Sequence, residues 1–346
     1  VGDSDSPKTG NKTKESELKT MIKDHGRRFA GIRKRTLAMA AMTLVVPTVA
    51  LASASPAMAE PKGIFKIFNQ CPTEVPGVTL CNYNQTTSGE FKLGTTTVPI
   101  KGVTITQQGG YIPTGNPENE REFFGIPAKN GESISKTALN VPGGLLDLID
   151  CEEIKGTGGF EEFVREACKK TFEHGATEVT ATTELVANEK DPVIFNEEAL
   201  GEESGTAVTL PIRVHLKNTF LGNSCYIGSE SSPIKLHLTT GATSLASPPA
   251  GWKSIHGALG KIETLKEDGL RSLRVKNNSL VDNTFAAPGT EGCGEIEFFG
   301  YKYTGFLDSL VNGKIGVPNK AGENTAILDG ELAAASAEAV IESEGI

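Results

Sequence analysis

The chain has 346 residues with 34 Lys and Arg against 43 Asp and Glu, a net charge of −9. Ten of the basic residues but only five of the acidic ones precede Glu60, so residues 60–346 carry a balance of −14. Phosphate backbones and anionic lipid surfaces are held by fields of Lys and Arg, so nucleic acid and acidic membranes are excluded as expected partners.

Residues 1–20, VGDSDSPKTGNKTKESELKT, show no apolar periodicity and read as upstream translation from a valine codon, with Met21 as the expected start. Residues 21–59 then have the three zones of a secretory signal peptide. Arg27, Arg28, Arg33, Lys34 and Arg35 form the cationic zone, LAMAAMTLVVPTVALA the apolar core, and Ala57-Met58-Ala59 the cleavage motif. Cleavage is expected after Ala59, leaving Glu60 as the first mature residue. A membrane anchor is the alternative, but the core is short, rich in alanine, interrupted by Pro47 and below the roughly 18 to 20 apolar residues that span a bilayer. No transmembrane anchor is expected in residues 60–346, which contain no LPxTG sequence, lipobox cysteine or hydrophobic tail. The expected location is outside the cell, free or loosely held at the envelope, with a cell-wall or extracellular partner.

The region from Glu60 is long enough for a substantial core in one disulfide-tied unit or two smaller ones. Strand candidates are IFKIF (64–68), EFKLGTTTVPI (90–100), VTITQQ (103–108), EVTATTELV (178–186) and PVIF (192–195). In TAVTLPIRVHLKN, Val208, Leu210, Ile212, Val214 and Leu216 alternate with polar residues and Pro211, the period of a half-buried strand. PIKLHLTTG repeats the pattern and is expected beside it in one antiparallel sheet. Gly, Pro and Asn/Asp turns separate these runs, which predicts a mainly β fold, an antiparallel β-sandwich or barrel-like body.

One amphipathic helix is predicted at about 159–174, where Phe160, Phe163, Val164, Ala167 and Cys168 form a stripe and Gly175 can close the end. A short second helix is a candidate at 306–312. ELAAASAEAVIES (331–343) suits a helix or a final strand after a turn at Asp329-Gly330. GATSLASPPAG (241–251) is the best linker and marks a candidate sub-boundary.

All six cysteines lie after Glu60. An even count in an oxidising compartment predicts three disulfides, and sequential pairing is expected: Cys71–Cys81, Cys151–Cys168 and Cys225–Cys293. Metal-binding thiolates are the alternative, without CxxC spacing to support them.

Few groups point to chemistry. His215 and His237 fall on the polar faces of two strands expected to be neighbours, so a metal pair is conceivable, although solvent-facing histidine is the simpler reading. No G-x-S-x-G elbow or HExxH is present, and no metal or other cofactor is expected. Glu152-Glu153, Glu161-Glu162, Glu197-Glu198 and Glu202-Glu203 read as solvated surface. EFFGYKYTGF (297–306) could present a sugar or peptide platform; packing is the simpler explanation, since alternation puts Tyr301 and Tyr303 on one face. In SLVDNTFAAPGTEGCG (279–294), Asp282 and Asn283 are candidates for a functional loop. The same residues also read as two turns, a Phe285 plug and a clasp at Cys293.

The segments FKIFNQCP, CNYNQTTSGEFKLGTTTVPIKGVTITQQGG, LPIRVHLKNTFLGNSCYIGS, PIKLHLTTG, SLVDNTFAAPGTEGCG and IGVPNKAGENTAILDGEL together resemble an uncharacterised family of secreted actinobacterial proteins. The resemblance covers nearly all of the chain after Glu60, with the acidic stretch NEKDPVIFNEEALGEES (188–204) as a departure. It implies export and the recurrence of the cysteine positions, and it brings no activity. The leading expectation is therefore a non-catalytic binding or adhesion module. A secreted hydrolase with an unrecognised site and a carrier of a small apolar ligand are the alternatives.

Overall fold

Short runs of alternating residues build sixteen strands in the computed structural model, which describes residues 60–345. The upstream segment 1–20 and the signal peptide 21–59 lie outside the described residues. Residues 60–187 and 191–345 form one unit, described here.

The strands are β1 (Leu80–Leu93), β2 (Thr96–Ile100), β3 (Ile105–Pro113), β4 (Glu122–Pro127), β5 (Ala138–Asn140), β6 (Thr180–Leu185), β7 (Ile194–Asn196) and β8 (Val208–Lys217). They continue with β9 (Tyr226–Ile227), β10 (Ile234–Leu238), β11 (Lys261–Glu267), β12 (Leu270–Asp282), β13 (Thr290–Glu291), β14 (Glu295–Phe298), β15 (Tyr301–Thr304) and β16 (Thr325–Ser336). The helices are α1 (Leu145–Leu148), α2 (Gly159–Glu173), α3 (Glu197–Gly201), α4 (Asp308–Ile315) and α5 (Ala337–Glu344). No helix among the described residues is long and apolar enough to cross a membrane.

Fourteen strands make one antiparallel sheet in the order β11-β12-β16-β1-β3-β4-β7-β8-β6-β5, with β2 added to β1, β9 and β10 to β8, and β13 to β9. The sheet is open and closes no barrel. It folds over its own core: Phe91, Leu93 and Val98 of β1 and β2 line a small gap together with Ala181, Val214 and Leu216 of β6 and β8. Bridges Thr239↔Val281 and Ala258↔Ser279 tie the chain after β10 to β12. The adjacent strands β8 and β10 pair antiparallel, with Leu236 opposite Leu210.

A second apolar layer covers the other face of β1 and β16. Phe65, Phe68, Cys71 and Cys81 pack there with Ala333, Ala335, Ala337 and Val340. The small side chains of β16 let the covering segments approach, which explains a strand so rich in alanine. The ambiguous stretch 331–343 contains both structures, and Ser336 divides them by accepting the Ala339 N–H as the cap of α5.

Four expectations need correction. IFKIF is not a strand but a 3-10 turn, Gly63–Phe68. Three residues per turn bring Phe65 and Phe68 to one buried face, and Gly63 starts the turn with φ 56°. Residues 90–100 are a hairpin rather than one run, because Gly94 turns the chain with φ 53° and a side chain there would strike the Ile315 carbonyl. Asp329-Gly330 is no turn: β16 runs through it, and Gly330 lies flat against the Gln85 carbonyl where both neighbouring strands shift register. The second helix is also offset, since Gly313 continues α4 and left-handed Gly316 ends it.

Disulfides Cys71–Cys81, Cys151–Cys168 and Cys225–Cys293 are present. The first sits in the second layer, the second fastens α2 to the preceding 3-10 turn, and the third joins the turn after β8 to the chain just before β14.

Candidate functional site

Asp282 ends β12 with no exposed surface. Its carboxylate accepts the His237 backbone N–H at 2.6 Å and both the backbone N–H and the hydroxyl of Thr284 at 2.7 Å. Burial pushes its pKa up, and these bonds oppose the rise. The side chain therefore acts as a structural acceptor that fixes a turn and ties β10 to β12. Asn283 is buried beside it and donates to the Lys253 carbonyl at 2.8 Å, while its own carbonyl accepts the Trp252 indole N–H at 3.1 Å. Both residues anchor chain segments. Phe285 is buried and stacks on Phe91 at 5.8 Å.

The two histidines are not brought together. His237 stands opposite Thr209, six residues along β8 from His215, so about 20 Å of strand separates them. His237 faces solvent, whereas His215 is only 8% exposed. No group of three or more His, Cys, Asp or Glu among the described residues is placed to hold a metal ion. Around His215 lies a cluster that the strand register builds. Its ring stacks on Tyr226 at 4.3 Å, its Nδ1 is 3.4 Å from Glu184, and Glu184 is forked by Arg213 at 2.8 and 2.9 Å. The Arg213 guanidinium also lies 4.3 Å from the Tyr226 ring centre. No signal in the sequence marks this cluster, since Glu184 comes to lie directly opposite Arg213 only through the register of β6 and β8.

The third candidate is the separate hairpin β14–β15. It pairs Glu295 with Thr304, Ile296 with Tyr303 and Glu297 with Lys302. Alternation puts Ile296, Tyr301 and Tyr303 on one face and the charged residues on the other, where Lys302 bonds Glu295 at 2.9 Å. The base of the apolar face is packed: Tyr303 lies 4.5 Å from Phe160 of α2, and Phe160 meets Phe306 edge-on at 5.6 Å. The far end projects, with Tyr301 71% and Phe299 87% exposed, and Phe163 of α2 is also exposed.

Phe299 and Gly300 form a two-residue loop with φ 51° and 76°. Tight hairpins need left-handed backbone at these positions and usually fill them with Asn, Asp or Gly. A phenylalanine there costs about 1 kcal/mol or more in backbone strain. The ring is also 87% exposed, so turn chemistry does not account for a phenylalanine there.

Two hollows lie elsewhere among the described residues. A cleft of about 590 Å³ lies between the β3–β4 loop and α3, lined by Glu118, Glu120, Arg121, Glu197, Glu198 and Glu202. These carboxylates are exposed. The apolar gap between the folded halves of the sheet measures about 40 Å³. Comparison of the chain with protein-family models, curated proteins and solved structures finds no match.

Proposed function

We propose that the protein is a secreted, non-catalytic binding module that holds a cell-envelope polysaccharide on the aromatic tip of β14–β15. The observation that carries this reading is Phe299, a strained and 87% exposed ring at a position where glycine would serve the fold better. Tyr301 adds a ring with a hydroxyl edge, suited to a ligand that offers both C–H faces and hydroxyl groups. A projecting finger engages the surface of a large polymer, whereas a small molecule is normally enclosed. Glu295 and Glu297 on the hairpin and the overall balance of −14 oppose an anionic lipid or nucleic acid as the occupant. Export is supported by the three disulfides, which persist in oxidising compartments.

Two features weigh against the alternatives. The oxygens of Asp282 are engaged by His237 and Thr284, which leaves the residue a structural part. The 40 Å³ gap falls far below the roughly 300 Å³ at which small-molecule pockets begin.

The test is depletion of the chain from solution by insoluble actinobacterial cell-wall polysaccharide. Phe299→Gly and Tyr301→Ala should each weaken retention by about tenfold or more, the scale of an interface anchor. Phe299→Gly should leave the melting temperature unchanged or raised, because glycine relieves the turn. Wild-type retention by both variants, or no depletion of the parent chain, overturns the proposal.

A further inference from the structure

We propose that His215 is a proton sensor that controls the aromatic hairpin through the turn between Asn218 and Cys225. The inference rests on the hairpin being the binding element and names the regulation of that site.

His215 is enclosed in its own layer of the structure. Glu184 from β6 faces Nδ1, Arg213 and Lys217 flank the ring on β8, Tyr226 of β9 stacks on it, and Glu230 lies 3.9 Å from Arg213. Nε2 is buried with no hydrogen-bond partner on the neutral ring, and the backbone of Asn223 in the covering turn is the group that accepts from the protonated one. The neutral ring tolerates this arrangement, since Nε2 then carries only a lone pair. Protonation puts an N–H there that draws on the Asn223 backbone, so the charge state of the ring is felt by the turn itself. It also adds a cation beside Arg213, which already claims Glu184 through two bonds.

The turn that must respond holds the root of the hairpin. Leu221 accepts the Gly294 N–H at 2.8 Å, and Gly294 in turn accepts the Gly305 N–H at 3.0 Å. Gly222 lies against Glu295, the first residue of β14, so closely that a side chain at 222 would strike it. Cys225 is bonded to Cys293, one residue before Gly294. Asn218 and Leu221 are fastened, the former by donating to the Ala176 and Glu178 carbonyls and the latter by complete burial. Asn223 and Ser224 are exposed, so movement concentrates there and in the adjoining Gly222–Glu295 contact.

Burial lowers the His215 pKa from its ordinary 6.5, with Glu184 and the Asn223 backbone opposing the shift and Lys217 adding to it. The folded value lies below the unfolded one, so stability is full above the ordinary histidine range and is lost as pH falls from about 6.5 toward the folded value. Acidification should therefore loosen the turn and release the hairpin from its working position.

Amide hydrogen exchange across residues 295–304, corrected for intrinsic rates, tests this on the exported chain without any ligand. Between about pH 7.5 and about pH 5, wild-type protection should fall roughly tenfold, while His215→Gln and His215→Phe should change less than about twofold. In the wild-type protein alone, the hairpin exchange should follow the NMR titration midpoint of the His215 ring. Equal pH dependence in a folded variant, an unresponsive wild-type hairpin, or a midpoint that differs from that of His215 overturns the inference. A hairpin that follows His215 yet does not bind polysaccharide would instead overturn the binding proposal alone.

Discussion

The carboxylate of Asp282 accepts the backbone N–H of His237 at 2.6 Å, across 45 residues of sequence and between two strands. Asp282→Asn keeps the size but replaces one of the acceptor oxygens with an N–H₂ group, which must face a backbone donor. We expect a loss of about 1–3 kcal/mol by chemical denaturation, the cost of a buried donor left unpaired.

The pH dependence gives a second reading of the same residue. Because burial raises its folded pKa, the stability from Asp282 is present below its unfolded pKa and declines as pH rises through the folded value. Asp308 has the same sign, also chiefly from burial. Asp282→Asn should therefore shrink this acid-side slope without abolishing it, and a slope identical to wild type would show that Asp282 does not titrate as the buried group described here.

Asp282 shows how far sequence reasoning reaches. Asx chemistry is local, so a turn could be read from Asp282 and Thr284, but the His237 partner depends on tertiary pairing. β8 and β10 were legible because five alternating apolar residues mark the inward face of β8. IFKIF reads as a strand and folds as a 3-10 turn for a physical reason: its pattern is too short to fix a period, and packing of Phe65 and Phe68 in one layer selects the tighter one. Alternation puts Tyr301 and Tyr303 on one face, yet their different environments follow from Phe160, about 140 residues away on α2. Charge patterns showed neither His215 as buried nor its partners, because Glu184, Arg213 and Tyr226 converge only through strand register.

The Cys225–Cys293 bridge closes a loop of 68 residues. By the chain-entropy estimate, its loss should cost about 4 kcal/mol, more than the loss of either shorter bridge. The double variant Cys225→Ser/Cys293→Ser should show this in urea denaturation, with raised amide exchange at Gly294 and Glu295 before global unfolding. Intact mass of the oxidised wild-type chain should show no free thiol, and reduction should release six. A denaturation midpoint unchanged by the double substitution would contradict the clasp.

Gly330 is where β1 and β12 both shift register against β16. Its missing side chain lets the Gln85 carbonyl approach. Gly330→Ala would force a methyl into backbone that belongs to the sheet centre and cannot swing aside. A loss of about 2–4 kcal/mol is expected, in the range for overpacking and broken strand pairing. Gly269→Ala provides the contrast, since its surroundings are open and only its φ of 83° opposes a side chain; that loss should stay near 1 kcal/mol. Equal effects would mean that backbone conformation, and not close approach, governs both positions.

Phe160 and Tyr301 separate support of the hairpin from recognition by it. Phe160 is half-buried and contacts both Tyr303 and Phe306, so Phe160→Ala removes the platform on which the hairpin base rests. An isolated two-stranded hairpin is marginal in water, and its order depends on such packing. Phe160→Ala should therefore raise exchange across residues 295–304 and weaken polysaccharide retention together. Tyr301, 71% exposed, packs little, so Tyr301→Ala should shift stability by no more than about 0.5 kcal/mol and leave hairpin exchange unchanged while retention falls. If Tyr301→Ala loosens the hairpin as much as Phe160→Ala does, the ring is structural; if Phe160→Ala alone weakens retention, the ligand rests on the base of the hairpin and not on its tip.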